Sequence, residues 1–148
     1  MSLESVDVSV SDELIKNAVD FHGHFGPFLI LGLKAGLLAN AFLGKNCFKT
    51  KAIVTTNPSP PHSCFVDGVQ FVTGCTMGKG NIKLRKGSGL VVFFSRDDKS
   101  LKLRLKNEIL KSICEIASEE ETRIRASDLL GMSVAELFEI EIRELLKI

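Results

Sequence analysis

From Pro27 to Leu43 the chain carries Phe28-Leu29-Ile30-Leu31-Gly32-Leu33-Lys34-Ala35-Gly36-Leu37-Leu38-Ala39, apolar on nearly every side of a helical wheel. A helix of that kind is stable only when other elements cover it, so the rest of the chain has to be built around it. Pro27 suits the first helical position, because its missing N–H has no partner there anyway, and Gly44 is placed to end the helix. The uninterrupted apolar run stays short of the roughly 18 residues that cross a bilayer, which makes this a core helix. Gly32, Ala35, Gly36 and Ala39 form a stripe of small residues that lets another backbone come close. Core packing is one use of such a stripe, and a helix–helix dimer seam is the other.

Immediately before this helix stands Phe21-His22-Gly23-His24-Phe25-Gly26-Pro27, with two of the three histidines of the chain. Residues two apart diverge on a helix but can point the same way from a loop. Gly23, Gly26 and Pro27 favour the loop. Two imidazoles projecting from a short loop are half of a metal site, or a base and its partner. The structural alternatives are that His22 caps the preceding helix and His24 fills a hydrogen-bonded corner.

At 148 residues, 45% hydrophobic and 25% charged, the chain suits one domain with a real core. A net charge of +1 argues against nucleic-acid binding through overall charge. Met1-Ser2-Leu3-Glu4 lacks the basic and apolar parts of a signal peptide, so the expectation is a soluble cytoplasmic protein with no membrane partner. The four cysteines, Cys47, Cys64, Cys75 and Cys114, contain no C-x-x-C pair, which excludes a zinc ribbon written in cysteine alone and favours a reduced compartment. There is no Tyr, so tyrosine cannot be a general acid.

Ser11 predicts the cap of a first helix over Asp12 to Val19. Lys49 to Thr56 reads as a strand, ended by Asn57-Pro58-Ser59-Pro60-Pro61, a fixed loop that delivers His62, Ser63 and Cys64. Ser63 then caps a helix over Phe65 to Val72, closed by Thr73-Gly74, on which Cys64 and Asp67 share a face. Asn81 to Arg85 is a further strand, and Leu90 to Lys106 a hairpin, because Leu101, Leu103 and Leu105 alternate with Lys102, Arg104 and Lys106. Two or three helices finish the chain, over Asn107 to Ser118, a short one near Ser127 to Leu130, and from Val134 to Lys147, the last with a capping box in Ser133 and Glu136. Glu119-Glu120-Glu121 reads as a solvated turn.

Thr73-Gly74-Cys75-Thr76-Met77-Gly78-Lys79-Gly80-Asn81 has the glycines and lysine of an anion cradle, but its spacing is one residue short of the Walker pattern and Gly80 replaces the magnesium-binding hydroxyl. A tight turn presenting Cys75 and Lys79 to a shared cavity is the better expectation. His22, His24, His62, Cys64, Asp67 and Cys75 together supply every common zinc ligand type. The competing chemistry is a Cys64 or Cys75 thiolate with His22 or His24 as base. Cys47 and Cys114 lie inside apolar patterns and receive no role.

These blocks resemble a known family, the FmdE family, proteins similar to the E component of formylmethanofuran dehydrogenase. The resemblance rests on Phe21-His22-Gly23-His24 with Pro27 and Gly32, on Cys64 and Asp67-Gly68-Val69-Gln70, and on Thr73-Gly74-Cys75-Thr76 with Gly78-Lys79-Gly80-Asn81, in the family's order. It implies an α+β core, commonly a homodimer, in an archaeal or anaerobic setting of one-carbon metabolism, with a molybdenum or tungsten enzyme as partner. Family members often carry a cysteine where this chain has Gly26, and many end in a zinc-finger domain; no cysteine follows Cys114, so residues 1–148 correspond to the core domain alone. The E component is not the formyl-transfer centre of its complex, so dehydrogenase activity does not follow. The expectation is a single α+β domain, with a mixed or antiparallel sheet packed on the long buried helix and C-terminal helices. Its divalent transition metal, zinc, is held by His22, His24 and Cys64. Asp67 orients a ligand, and Cys75 and Lys79 line the site. The alternatives are a small enzyme working through Cys64, Asp67, Cys75 and Lys79, and a non-catalytic assembly subunit.

Overall fold

The computed structural model describes residues 8–145, and the N-terminal tetrapeptide tested for a signal peptide lies outside them. The apolar segment is helix α2 (Pro27–Leu43), and only Leu37, Asn40, Ala41 and Phe42 on it escape full burial. Its one charge, Lys34, is buried as well, and its Nζ donates to the carbonyls of Leu130 at 3.0 Å and Met132 at 2.5 Å. A cation seated on orphan carbonyls at a helix C-terminus is a favourable way to bury an ammonium. No helix among the described residues is long and apolar enough to cross a membrane.

Two helices flank the start of α2. Helix α1 (Asp12–His22) is capped by Ser11, whose side chain accepts from the Leu14 N–H, and it ends at Gly23 with φ 111°. Helix α3 (Cys64–Thr73) begins one residue earlier than its pattern predicts, and the Ser63 side chain makes no capping bond. Helices α2 and α3 cross where Gly32 meets Gly68. A Cβ on Gly32 would stand 2.2 Å from the Phe65 carbonyl oxygen, and one on Gly68 2.5 Å from that of Leu29. The small-residue stripe is therefore used inside the chain, since Gly36 packs on Val72 and Thr73, and the dimer-seam alternative on α2 is withdrawn.

The other layer is a five-stranded sheet in the order β2 (Ile82–Lys86), β1 (Lys51–Thr56), β3 (Leu90–Arg96), β4 (Lys99–Leu105), β5 (Phe138–Glu144). Strands β1 and β2 are parallel because α3 carries the chain across between them, and every other pair is antiparallel, so the sheet is mixed. Ala52, Val54, Leu90, Val92, Phe94, Leu101, Leu103, Leu105 and Phe138 point to the helices and are buried. Alternation sends their neighbours to the other, open face.

Four C-terminal expectations are corrected. The helix predicted from Val134 to Lys147 is a single turn, α6 (Val134–Leu137), which leads into β5; its last residues lie outside those described. The capping box is real, with Ser133 and Glu136 each bonded to the other's backbone N–H. Beyond that turn the chain has period two, and Phe138, Ile140 and Ile142 pair with Leu105, Leu103 and Leu101 on β4. The short helix near Ser127 is the end of α5 (Glu119–Leu130), and Glu119-Glu120-Glu121 forms its first turn behind the Ser118 cap, where the helix dipole favours acids. Between the hairpin and α5, α4 (Asn107–Cys114) stops short of Ser118.

Candidate functional site

His22 is the last residue of α1, and the left-handed turn at Gly23 folds His24 back beside it, with ring centroids 4.9 Å apart. Glycine takes this backbone at no steric cost, so the H-G-H spacing becomes a pair of neighbouring imidazoles. The Phe21 ring, 5.7 Å from Phe71, holds the end of α1 to α3. Helix α3 in turn brings Asp67 to His22, where Nδ1 and Oδ2 are 2.6 Å apart. A carboxylate only accepts, so Nδ1 is the donor of this pair and Nε2 is the ring nitrogen left over. The His22 side chain is 7% exposed, and its Nε2 is buried with no hydrogen-bond partner among the described residues.

Cys64 lies one turn before Asp67 on the same face of α3. Burial, and next the Asp67 charge, push its thiol above the ordinary value, so it is held neutral. Position 26 closes this end: a Cβ on Gly26 would come within 2.8 Å of His24 Nε2. A side chain there would point at the imidazole. Among the described residues no group of three or more His, Cys, Asp or Glu side chains is arranged to hold a metal ion. The donors that do converge are the two imidazoles, backed by one carboxylate.

Cys75 and Lys79 lie past the opposite end of α3, a ten-residue helix about 15 Å long. Cys75 is fully buried; its Sγ donates to the Thr50 carbonyl at 3.3 Å and its N–H to Thr73 Oγ1 at 3.1 Å. Burial raises this thiol too. Lys79 is exposed, with Nζ donating to Thr76 Oγ1 at 3.0 Å and lying 5.8 Å from the Phe48 ring. The expected cavity shared by Cys75 and Lys79 is therefore absent at this turn. Asn81 pins the segment instead, accepting from the Thr76 N–H at 2.9 Å and donating to the Cys47 carbonyl at 2.7 Å.

His62 joins neither group. Its ring stacks on Phe28 at 4.9 Å, and Nε2 is 3.6 Å from the Sγ of Cys114, the cysteine to which the sequence assigned nothing. The two border an apolar cleft of about 290 Å³ with Pro27, Pro61 and Ile113. Fifty-two residues separate the partners, and no spacing rule reaches that far.

Comparison with known proteins bears on the same residues. The sequence profile described as "FmdE, Molybdenum formylmethanofuran dehydrogenase operon" matches residues 21–147. A probable S-adenosyl-L-methionine-binding protein of Archaeoglobus fulgidus is 34% identical over 93 residues, which are 57% of this chain. The match spans about a quarter of that relative's length (24%). Among solved structures, an FmdE-like protein of the tungsten formylmethanofuran dehydrogenase type from Syntrophus aciditrophicus superposes with a TM-score of 0.64 at 18% identity, covering 97% of this chain and 76% of that one. At that identity the likeness is one of fold.

Proposed function

Because the chain belongs to the FmdE family, we propose that it is a metal-binding member of it, an accessory or stand-alone protein in anaerobic one-carbon metabolism, with a molybdenum or tungsten enzyme as partner. His22 and His24 are its protein donors, and Asp67 orients His22. The observation that carries this is the His22 ring: Nδ1 is fixed by a carboxylate while Nε2 is buried and, among the described residues, without a partner. A buried imidazole nitrogen left unpaired costs free energy, and a carboxylate behind the other nitrogen is the usual support of a metal-bound histidine. A divalent ion such as zinc would supply Lewis acidity here. Two imidazoles do not fill a coordination sphere, so further donors come from water, from a partner protein or from Cys64, whose thiol must first lose its proton.

The nucleophilic alternative draws less support. Cys64 and Cys75 are both shifted away from the thiolate, and Cys75 spends its sulfur on a backbone carbonyl. Metal content by mass spectrometry tests the proposal on the purified protein and on a His22→Ala/His24→Ala variant, each reconstituted under reducing conditions. The expected result is stoichiometric metal in the parent, lost in a variant that keeps its circular dichroism. Metal-free protein in both samples overturns it.

A further inference from the structure

Outside the candidate metal site, His62 and Cys114 bring together a base, a nucleophile and an apolar cleft. Cys114 is the last residue of α4 and is exposed, and its Sγ lies 3.6 Å from His62 Nε2, close enough for a thiol to hand its proton to an imidazole nitrogen. The His62 ring is held in place. It stacks on Phe28, and its loop is closed by bonds from the Ser63 N–H to the Ser59 carbonyl at 3.2 Å and from the Cys64 N–H to the Pro61 carbonyl at 3.1 Å. Its Nδ1 is buried with no hydrogen-bond partner among the described residues, so Nε2 is the nitrogen that exchanges a proton with the thiol. The cleft beside the pair is walled by Pro27, Phe28, Pro61, Ile113 and Ile116. Thr122 also lines it, but its hydroxyl is spent on the Ser118 carbonyl at 2.9 Å, so this wall offers a ligand no free donor. Ile116 continues into a neighbouring cleft where Glu115, Glu121 and Asp128 outnumber Arg125, which disfavours an anionic ligand.

We propose that Cys114 is an acyl-accepting thiol with His62 as its base, and that it takes the acyl group of an uncharged thioester whose apolar chain lies in this cleft. The Cys114 sulfur attacks the thioester carbonyl carbon while the thiol proton passes to His62 Nε2. The new C–S bond forms at Sγ. As the tetrahedral intermediate collapses, the old C–S bond breaks, and the departing sulfur leaves with its electron pair and takes the proton back from Nε2. One thioester replaces another, so the exchange needs neither oxidant nor reductant. The chain identity follows from the walls, because proline, phenylalanine and isoleucine gain by covering CH₂ groups and have nothing to offer a charge. This reading does not depend on metal at His22 and His24, since the pair uses neither imidazole.

The test uses the whole chain, reduced, with acetyl, butanoyl, octanoyl and succinyl thioesters of N-acetylcysteamine. Intact mass and peptide mapping follow the reaction, and each rate is taken relative to that of glutathione with the same probe. The butanoyl probe should place one acyl group on Cys114, and Cys114→Ser should abolish it. His62→Phe keeps an aromatic ring beside Phe28 and removes Nε2, so in a variant that retains its circular dichroism it should slow acylation by about 100-fold or more. Within the parent alone, the rate should rise from acetyl to octanoyl by about fourfold for each CH₂ that the cleft covers, and succinyl should react more slowly than butanoyl. A Cys114 that gains no acyl group overturns the site. A folded His62→Phe that reacts at the parent rate overturns the pairing. Equal rates for acetyl and octanoyl in the parent overturn the cleft as the acyl site, whether or not the variant folds.

Discussion

The two ends of α3 each have a cysteine at hand, and their surroundings differ. At its start, Asp67 bonds His22 with Cys64 one turn earlier on the helix, and His22 Nε2 has no hydrogen-bond partner among the described residues. Past its end, Cys75, Thr73 and Asn81 are satisfied by one another and by the backbone, from Val69 to Thr50. Buried polar groups are normally paired, and the second end follows that rule while His22 Nε2 at the first does not among the described residues. The lesson is that cysteine, threonine and asparagine in a motif acquire a role from what the backbone offers them. At the end of α3 it offers carbonyls and amides, and at the start it offers side chains from α1.

The largest expected effect moves both ends together. Gly68→Ala places a methyl against the Leu29 carbonyl and the Leu33 nitrogen, and forcing the helices apart should cost about 3 kcal/mol in denaturant unfolding, with loss of metal as well. Thr73→Val touches only the far end. It strips the Cys75 N–H of its buried acceptor and should cost about 2 kcal/mol in the same measurement while metal content holds. Asp67→Asn should do the reverse, lowering metal affinity by roughly 10- to 100-fold in a competition titration with little change in melting temperature. If Thr73→Val loses metal and Asp67→Asn only stability, the division between the two ends is wrong.

Smaller effects refine the contrast. Alkylation with iodoacetamide should label exposed Cys114 before Cys64, and Cys64 before Cys75. Both shifted thiols have folded pKa values raised above those of the unfolded chain. Their contribution to stability is thus complete below the ordinary thiol value and lost as pH rises through the folded one. Away from α3, the capping bonds lower the Glu136 carboxyl, and the sign is opposite: its contribution is present above the ordinary carboxyl value and lost as pH falls through the folded one. Glu136→Gln should flatten that small acid-side slope in a thermal melt.

Local signals were legible where one chemical rule acts over a few residues. Ser11, Pro27, Gly44 and the Ser133–Glu136 box mark helix ends because each meets backbone groups within three or four positions. The alternation Phe138, Ile140, Ile142 was equally legible and was overruled by the capping box, which starts a helix without setting its length. In the candidate site the structure brings His22, His24 and Asp67 together, while the Cys75 turn that was expected beside them lies past the other end of α3. Nothing in a ten-residue helix's sequence says that its two ends open onto different surroundings. The contact of His62 with Cys114 left no trace at all, since it depends on where α4 lands beside α2.

By itself, then, the sequence determined the buried central helix, its start and stop, the period-two strands and the H-G-H turn, each a matter of covalent geometry and hydrophobic period. Tertiary structure alone decided that Gly32 meets Gly68, that Asp67 closes on His22 at 2.6 Å, and that Cys75 faces a carbonyl rather than a cavity. The physical reason is range. Caps and periods act between neighbours along the chain, whereas a site is formed by side chains 45 residues apart, brought together only by the packing of the helices that carry them.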